Sequence, residues 1–304
     1  MCADRSPRSV VVGYDGSQTS RQALTWALHA ARLRGSGVSI VYACPPTAEV
    51  VAQFGGSIAP DFSALERAAE QVLAAAAEQA HREAPDVNVD TRVVYAAASS
   101  ALLTDTDEAA MVVVGSRGLG GFSELLVGST GVQLAAHARC PVVVIRPQAG
   151  DGQPGAGSGR VVVGVDGSPS SDAAVGFAFT EAALRGAGVS AVHAWDRPPY
   201  DVPPPSHDPL PSYVVADEVA GTESRLLSEM LGAWPSKFPE VDVQHEAVDG
   251  DPVEALVSRS TGAAMVVVGS RGRGGFSSLL LGSVSHGVLH HARCPVVIVC
   301  HPTP

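Results

Sequence analysis

Apolar positions along this chain follow two alternating periods. Short β-branched runs such as SVVVGYDG (9–16) read as buried strands ending in a turn. The stretch from about Arg21 to Leu33 places Ala23, Leu24, Ala27, Leu28 and Ala31 on one face of a helix, with N-cap candidates among Ser17–Ser20 and a stop at Gly35 and Gly37. The pattern then predicts a strand over Val38–Ala43, irregular Pro/Gly-punctuated chain from Cys44 to Asp61, and a helix over Phe62–Arg82 that Pro85 ends. A strand follows over Val87–Tyr95, a short helix over Ser99–Glu108 and a strand over Met111–Val114. A glycine loop, a helix over Ser129–His137 and a last strand over Pro141–Ile145 complete the set.

The whole pattern then recurs. VVVGYDGSQTSRQAL (10–24) matches VVVGVDGSPSSDAAV (161–175), and HARCPVVVI (137–145) matches HARCPVVIV (291–299). Between them, QAGDGQPGAGSG (148–159) has the composition of a flexible linker. Two domains are expected, 1–147 and 160–304, by duplication rather than as a solenoid, whose repeats are far shorter. Strands alternating with helices predict a doubly wound α/β fold, each copy with a five-stranded parallel sheet flanked by helices. Such sheets take ligands at the carboxyl ends of their strands, where the winding reverses. The first strand ends at Asp15 or Asp166 and the fourth at a glycine loop, so both would converge on one crevice if those strands are neighbours.

Composition narrows the partners. The chain of 304 residues carries 31 Asp+Glu against 20 Lys+Arg, which argues against nucleic acid as the main partner but leaves a small polyanion open. Lys237 is the sole lysine, so no G-x-x-x-x-G-K-[ST] loop exists and a P-loop NTPase is excluded. The spacing of the five cysteines fits neither a disulfide framework nor a zinc site. The N-terminus lacks the apolar core of a signal peptide, and no apolar run is long enough to span a bilayer. A reduced, soluble, cytoplasmic protein is the expectation.

The chemistry lies in MVVVGSRGLGGFSELLVGST (111–130) and MVVVGSRGRGGFSSLLLGSV (265–284), each a strand, a glycine loop and a helix start. Such a turn presents backbone N–H groups to a phosphate. Gly115 and Gly269 end the strand, Gly118 and Gly272 are expected to bend with φ > 0, and Gly128 and Gly282 let the chain approach a ligand. Ser129 and Ser283 stand at the helix N-terminus, where a hydroxyl and free N–H groups can meet an anion. Arg117 and Arg271 read equally as phosphate partners or solvated loop residues. Asp15 and Asp166 read either as turn formers or as acceptors for ribose or base groups; their recurrence in both copies favours ligand contact.

With these residues in place, the chain resembles the universal stress protein family, in its tandem-domain, ATP-binding form. The features are the G-x2-G-x9-G-S spacing, the V-x-G-x-D-G-S first strand carrying Gly13 or Gly164, and the C-P-V-V last strand. The resemblance covers nearly the whole chain. It implies strand order 3-2-1-4-5, an adenine nucleotide alpha hydrolase-like fold, and ATP in each crevice with Mg²⁺, if present, held through the phosphates. It places Asp15 and Asp166 at the adenosine end and the backbone of Ala43 and Ala194 on the adenine. Gly115, Gly118, Gly128, Ser129 and Thr130 would hold phosphates in the first copy. Gly269, Gly272, Gly282, Ser283, Val284 and Ser285 would do so in the second. It also implies that the two copies pair through their last strands as a pseudo-dimer, and a homodimer and a regulatory protein partner are expected beyond that.

The copies are unequal. Gly250-Asp251-Pro252 follows the third strand of the second copy, where the first has Ala96-Ala97-Ala98, and Ser285 answers Gly131. His137 and His291, near Cys140 and Cys294, read as helix C-terminal residues before a small buried Cys rather than as a metal site. The proline-rich stretch 195–213 reads as a stiff surface loop on the rim of the second site. No Ser-His-Asp order, G-x-S-x-G elbow or HExxH is present. A nucleotide-binding regulatory protein is the leading expectation. A slow ATP hydrolase in the same crevices, or an interaction module with empty pockets, is the alternative.

Overall fold

In a computed structural model, residues 8–44, 62–118, 127–147, 159–195, 212–273 and 281–300 are described. By internal contacts the chain divides into two compact units, Met1–Gly157 with Pro295–Pro304, and Ser158–Cys294. Residues 196–211 of the proline-rich stretch and the middle of each glycine loop lie outside the described residues, while Trp195 ends a strand and Ser212 begins a helix.

In the first unit the strands are β1 (Val10–Gly13), β2 (Val38–Cys44), β3 (Val89–Tyr95), β4 (Met111–Gly115) and β5 (Val142–Ile145). β1 is central, parallel to β2 on one side and to β4 on the other; β3 adds to β2 and β5 to β4. The order is therefore 3-2-1-4-5, and the winding reverses between β1 and β4. The valines of β1, β2, β4 and β5 are almost wholly buried, each contributing about 1.5–3 kcal/mol against exposure. The last strand of the chain (Val296–Val299, β10 in chain order) also belongs to this unit and pairs antiparallel with β5. β5 thus has a neighbour on each side and is not a sheet edge.

Helix α1 (Gln18–Arg34) begins where Ser17 accepts from the backbone N–H of Ser20, and ends at Gly35, whose φ of 61° only glycine adopts readily. It runs a turn beyond the expected Arg21–Leu33. After α2 (Phe62–Glu83), α3 covers only Ala98–Leu103, not Ser99–Glu108. It starts at Ala97 without a side-chain cap, and the hydroxyls of Thr104 and Thr106 donate back to Ala101 and Leu103 carbonyls. Such local bonds compete with helix continuation. α4 (Ser129–His137) then leads to β5.

The second unit repeats the plan. β6 (Val161–Gly164) lies between β7 (Val189–Trp195) and β9 (Met265–Gly269), and β8 (Val243–Asp249) adds to β7, all parallel. Its helices are α5 (Pro169–Arg185), α6 (Ser212–Leu231), α7 (Trp234–Lys237), α8 (Pro252–Arg259) and α9 (Ser283–His291). Asp251 accepts from the N–H of Glu254 and Pro252 opens the helix, so α8 runs for 8 residues where α3 has 6. The short helix α7, which the pattern did not predict, packs Trp234 and Phe238 on Phe179, with ring centroids 6.3 and 5.8 Å from it. The indole N–H donates to Asp172, and the Lys237 ammonium sits 4.4 Å above the ring.

Candidate functional site

The crevice of the second unit opens at the carboxyl ends of β6 and β9. It is a cleft of about 660 Å³, within the range of small-ligand pockets. Every residue expected at the second site borders it: Gly164 and Asp166 from the end of β6, Ala194 from β7, Gly269, Arg271 and Gly272 from the glycine loop, and Gly282, Ser283, Val284 and Ser285 from the start of α9.

Asp166 fixes the geometry. Its Oδ1 accepts from the N–H of Ser168, closing the turn into α5, with Gly167 at φ 74°. Its Oδ2 accepts from the N–H of Arg273 across the crevice. The turn-former reading is therefore realised, and a carboxylate has lone pairs left for a ligand. A Cβ on Gly272 would stand 2.5 Å from that Oδ2, and one on Gly118 would stand 2.6 Å from Oδ2 of Asp15. This corrects the expectation of φ > 0: neither glycine has positive φ, and each is required by close approach to its aspartate. Gly269 and Gly115 answer to helix packing, since a Cβ would meet Ser170 at 2.7 Å or Thr19 at 2.6 Å.

Gly282 and Gly128 differ from these. The nearest protein atoms to a Cβ would be 3.4 Å away at Gly282 and 3.6 Å away at Gly128, close to or within ordinary contact. Each is an N-cap with extended backbone and no side chain to cap its helix. By contrast, Ser17, Ser168 and Asp251 cap α1, α5 and α8. The first intrahelical bond of α9 runs from His286 to Gly282, so the N–H groups of Ser283, Val284 and Ser285 precede the helical ladder. Donors at the start of a nine-residue helix, at the positive end of its dipole, are suited to an anion. The Ser285 hydroxyl is buried and donates to the Gly269 carbonyl at 2.6 Å, tying the helix start to the strand end.

The other wall is apolar. Val192, Leu256 and Val268 line it beside Ala194, and a Cβ on Gly164 would come within 3.1 Å of Leu256. These residues escaped the sequence reading, although Leu256 follows the Gly250-Asp251-Pro252 turn that marked the second copy. Next to Ala194, His193 is buried, with Nδ1 2.6 Å from the Val165 carbonyl and Nε2 3.3 Å from Glu223 on α6. A carbonyl only accepts, so Nδ1 carries the proton and fixes β7 to the chain entering Asp166. Arg273 was also missed. Its guanidinium lies over Gly167, 4.0 Å from the sulfur of Met230. It stands where the first copy has Leu119, the one difference within an otherwise shared GSRGxGGF.

The first unit has the same backbone ties. Ser17 N–H donates to Asp15 Oδ1, the Thr19 hydroxyl donates to the Arg117 carbonyl, and Gly128 N–H donates to the Ser116 carbonyl. These bring Asp15, Gly115, Gly118 and Gly128 together. Gly13 faces Leu102 of α3 as Gly164 faces Leu256. Ala43 is the penultimate residue of β2, next to its last residue Cys44, and Ser129 and Thr130 open α4 with Ser129 exposed. Tyr42 stands where the second copy has His193, and burial, then the charges of Cys44 and Asp15, push its phenol above the ordinary range. Asp15 also borders a separate, shallower hollow of about 820 Å³ against α2. Arg117 is half-buried and Arg271 exposed. Among the described residues no group of three His, Cys, Asp or Glu could hold a metal ion, and no helix is long and apolar enough to cross a membrane.

Comparison with known proteins gives a consistent picture. Residues 7–146 and 157–300 each match the model of the universal stress protein family. A universal stress protein of Mycobacterium tuberculosis is 34% identical over 99% of this chain and 98% of its own length. One from Mycolicibacterium smegmatis is 34% identical over 95% of this chain and 96% of its own. Among solved structures, a universal stress protein from Archaeoglobus fulgidus is similar in fold, with TM-score 0.68 and 19% identity over 97% of each chain.

Proposed function

Because the chain belongs to the universal stress protein family, with two such domains in tandem, we propose that it binds ATP in the crevice of each repeat and acts as a nucleotide-dependent regulatory factor. The observation that carries this reading is the uncapped start of α9 facing Asp166 across a cleft with an apolar wall at Ala194. Phosphates would lie against the N–H groups of Ser283 and Val284, near Gly272 and Gly282. The adenine would lie against Val192, Leu256 and the Ala194 backbone, and the ribose beside Asp166. Mg²⁺, if bound, would be held by phosphate oxygens. A glycine at 128 and at 282, where the protein itself leaves near-normal room for a Cβ, is accounted for by a ligand that needs that space. The second repeat is the stronger site, since α8 is capped and Arg273 supplies a cation on its rim.

Regulation would act through the segments that meet at the crevice, whose relative positions ATP would set. The test is to denature the purified protein, identify any nucleotide released and assay turnover. Intact ATP released without turnover supports the regulatory reading. ADP with sustained turnover replaces it by a hydrolase. No nucleotide, together with no ATP binding on titration, replaces it by an interaction module.

A further inference from the structure

The cysteines form no sequence motif, yet two of them are brought together by the β5–β10 ladder. Its register pairs Val296 with Val144, Val297 with Val143 and Ile298 with Val142. Continued for two more places, it sets Cys300 opposite Cys140. Directly opposed residues of an antiparallel pair point to the same face with Cα atoms about 4.5–5.5 Å apart. That is the span of a disulfide. Cys140 is buried and Cys300 half-buried, with the Cys300 sulfur 3.8 Å from the Ala135 carbonyl of α4. Burial pushes the Cys140 thiol up to about 12, and the nearby Cys300 adds to that shift. In the first repeat the position equivalent to Cys300 is Arg146, so the arrangement arises once per chain.

We propose that Cys140 and Cys300 are a redox pair which a peroxide converts to an intramolecular disulfide, fastening β10 to β5. Cys300, the more exposed thiol, is oxidised first: hydrogen peroxide transfers one oxygen to its sulfur, giving the sulfenic acid and one water. The Cys140 sulfur then attacks the Cys300 sulfur, and the S–O bond breaks. Hydroxide leaves with the Cys140 proton as a second water. Two thiols and one peroxide thus yield one disulfide and two waters. The closed loop contains β6 to β9, so oxidation fixes the C-terminal strand in the sheet of the first unit whether or not nucleotide is bound.

The test uses the full chain, reduced and then exposed to hydrogen peroxide, with digestion under non-reducing conditions and mass spectrometry. The expected result is a linked Cys140–Cys300 peptide, a loss of two thiols per chain, and a thermal midpoint raised by roughly 5–10 °C and restored by a reductant. Because Cys140 is buried and its replacement risks misfolding, Cys300→Ser is the variant of choice. It should abolish both the linked peptide and the oxidative rise in midpoint while leaving the reduced midpoint unchanged. Recovery of Cys300 as sulfinic or sulfonic acid, or in disulfides between chains, with Cys140 still alkylated after unfolding, overturns the proposal.

Discussion

Gly272 and Asp166 stand so close that a Cβ on the glycine would reach within 2.5 Å of the carboxylate Oδ2. The carboxylate cannot yield easily, because Ser168 and Arg273 N–H groups hold its two oxygens. Gly272→Ala should therefore lower both stability and ATP affinity. Circular dichroism melting and calorimetric titration would show the two losses together. A variant with unchanged melting and binding would contradict the contact.

Gly282→Ala should behave differently. The backbone there is extended and the protein leaves a Cβ nearly normal room, so the fold should persist. The methyl group instead occupies space assigned to the phosphates. An affinity loss of about tenfold or more at the second site is expected, with melting almost unchanged. Gly128→Ala should do the same at the first site.

Asp166→Asn separates the turn from the bridge. The amide nitrogen must face either Ser168 N–H or Arg273 N–H, and both are donors. The variant should lose about 1–3 kcal/mol of stability. A urea melt beside that of the parent would measure it.

The caps explain an inequality between the repeats and can be exchanged. Asp251→Ala removes the side chain that receives Glu254 N–H and should cost about 1 kcal/mol. Ala97→Asp should stabilise α3 by a similar or smaller amount. Chemical denaturation of both variants would test the pair of signs.

Cys140 provides a pH dependence. Its folded pKa, about 12, lies above the ordinary 9.0 because burial disfavours the thiolate. Its contribution to stability is thus complete below pH 9 and is lost as pH rises toward 12. In the native protein at pH 8, iodoacetamide should leave Cys140 unlabelled and react with it only after unfolding.

Much of this fold was legible because strand and helix periods depend on local sequence. β-Branched runs at Val10, Val38 and Met111, and the glycine stop at Gly35, each carry their own signal. The convergence of Asp166 with Gly272 was also anticipated, since the winding reverses between their strands. The reason for Gly272 was not, because a close approach between distant segments leaves no local trace. The same holds for the Cys140–Cys300 opposition, which depends on the register of β10. Helix α3 was overextended because Thr104 and Thr106 fit a helical pattern while their hydroxyls draw on its carbonyls. Arg273 was visible as the one change in a shared loop, but its place over Gly167 required coordinates.

The most direct test of the account is calorimetric titration of nucleotide-free wild-type protein with ATP, beside Gly282→Ala. Saturable binding at two sites per chain, with the second-repeat site weakened in the variant, is the predicted result. No saturable binding by the wild type at millimolar ATP, or binding unchanged by the variant, would contradict it.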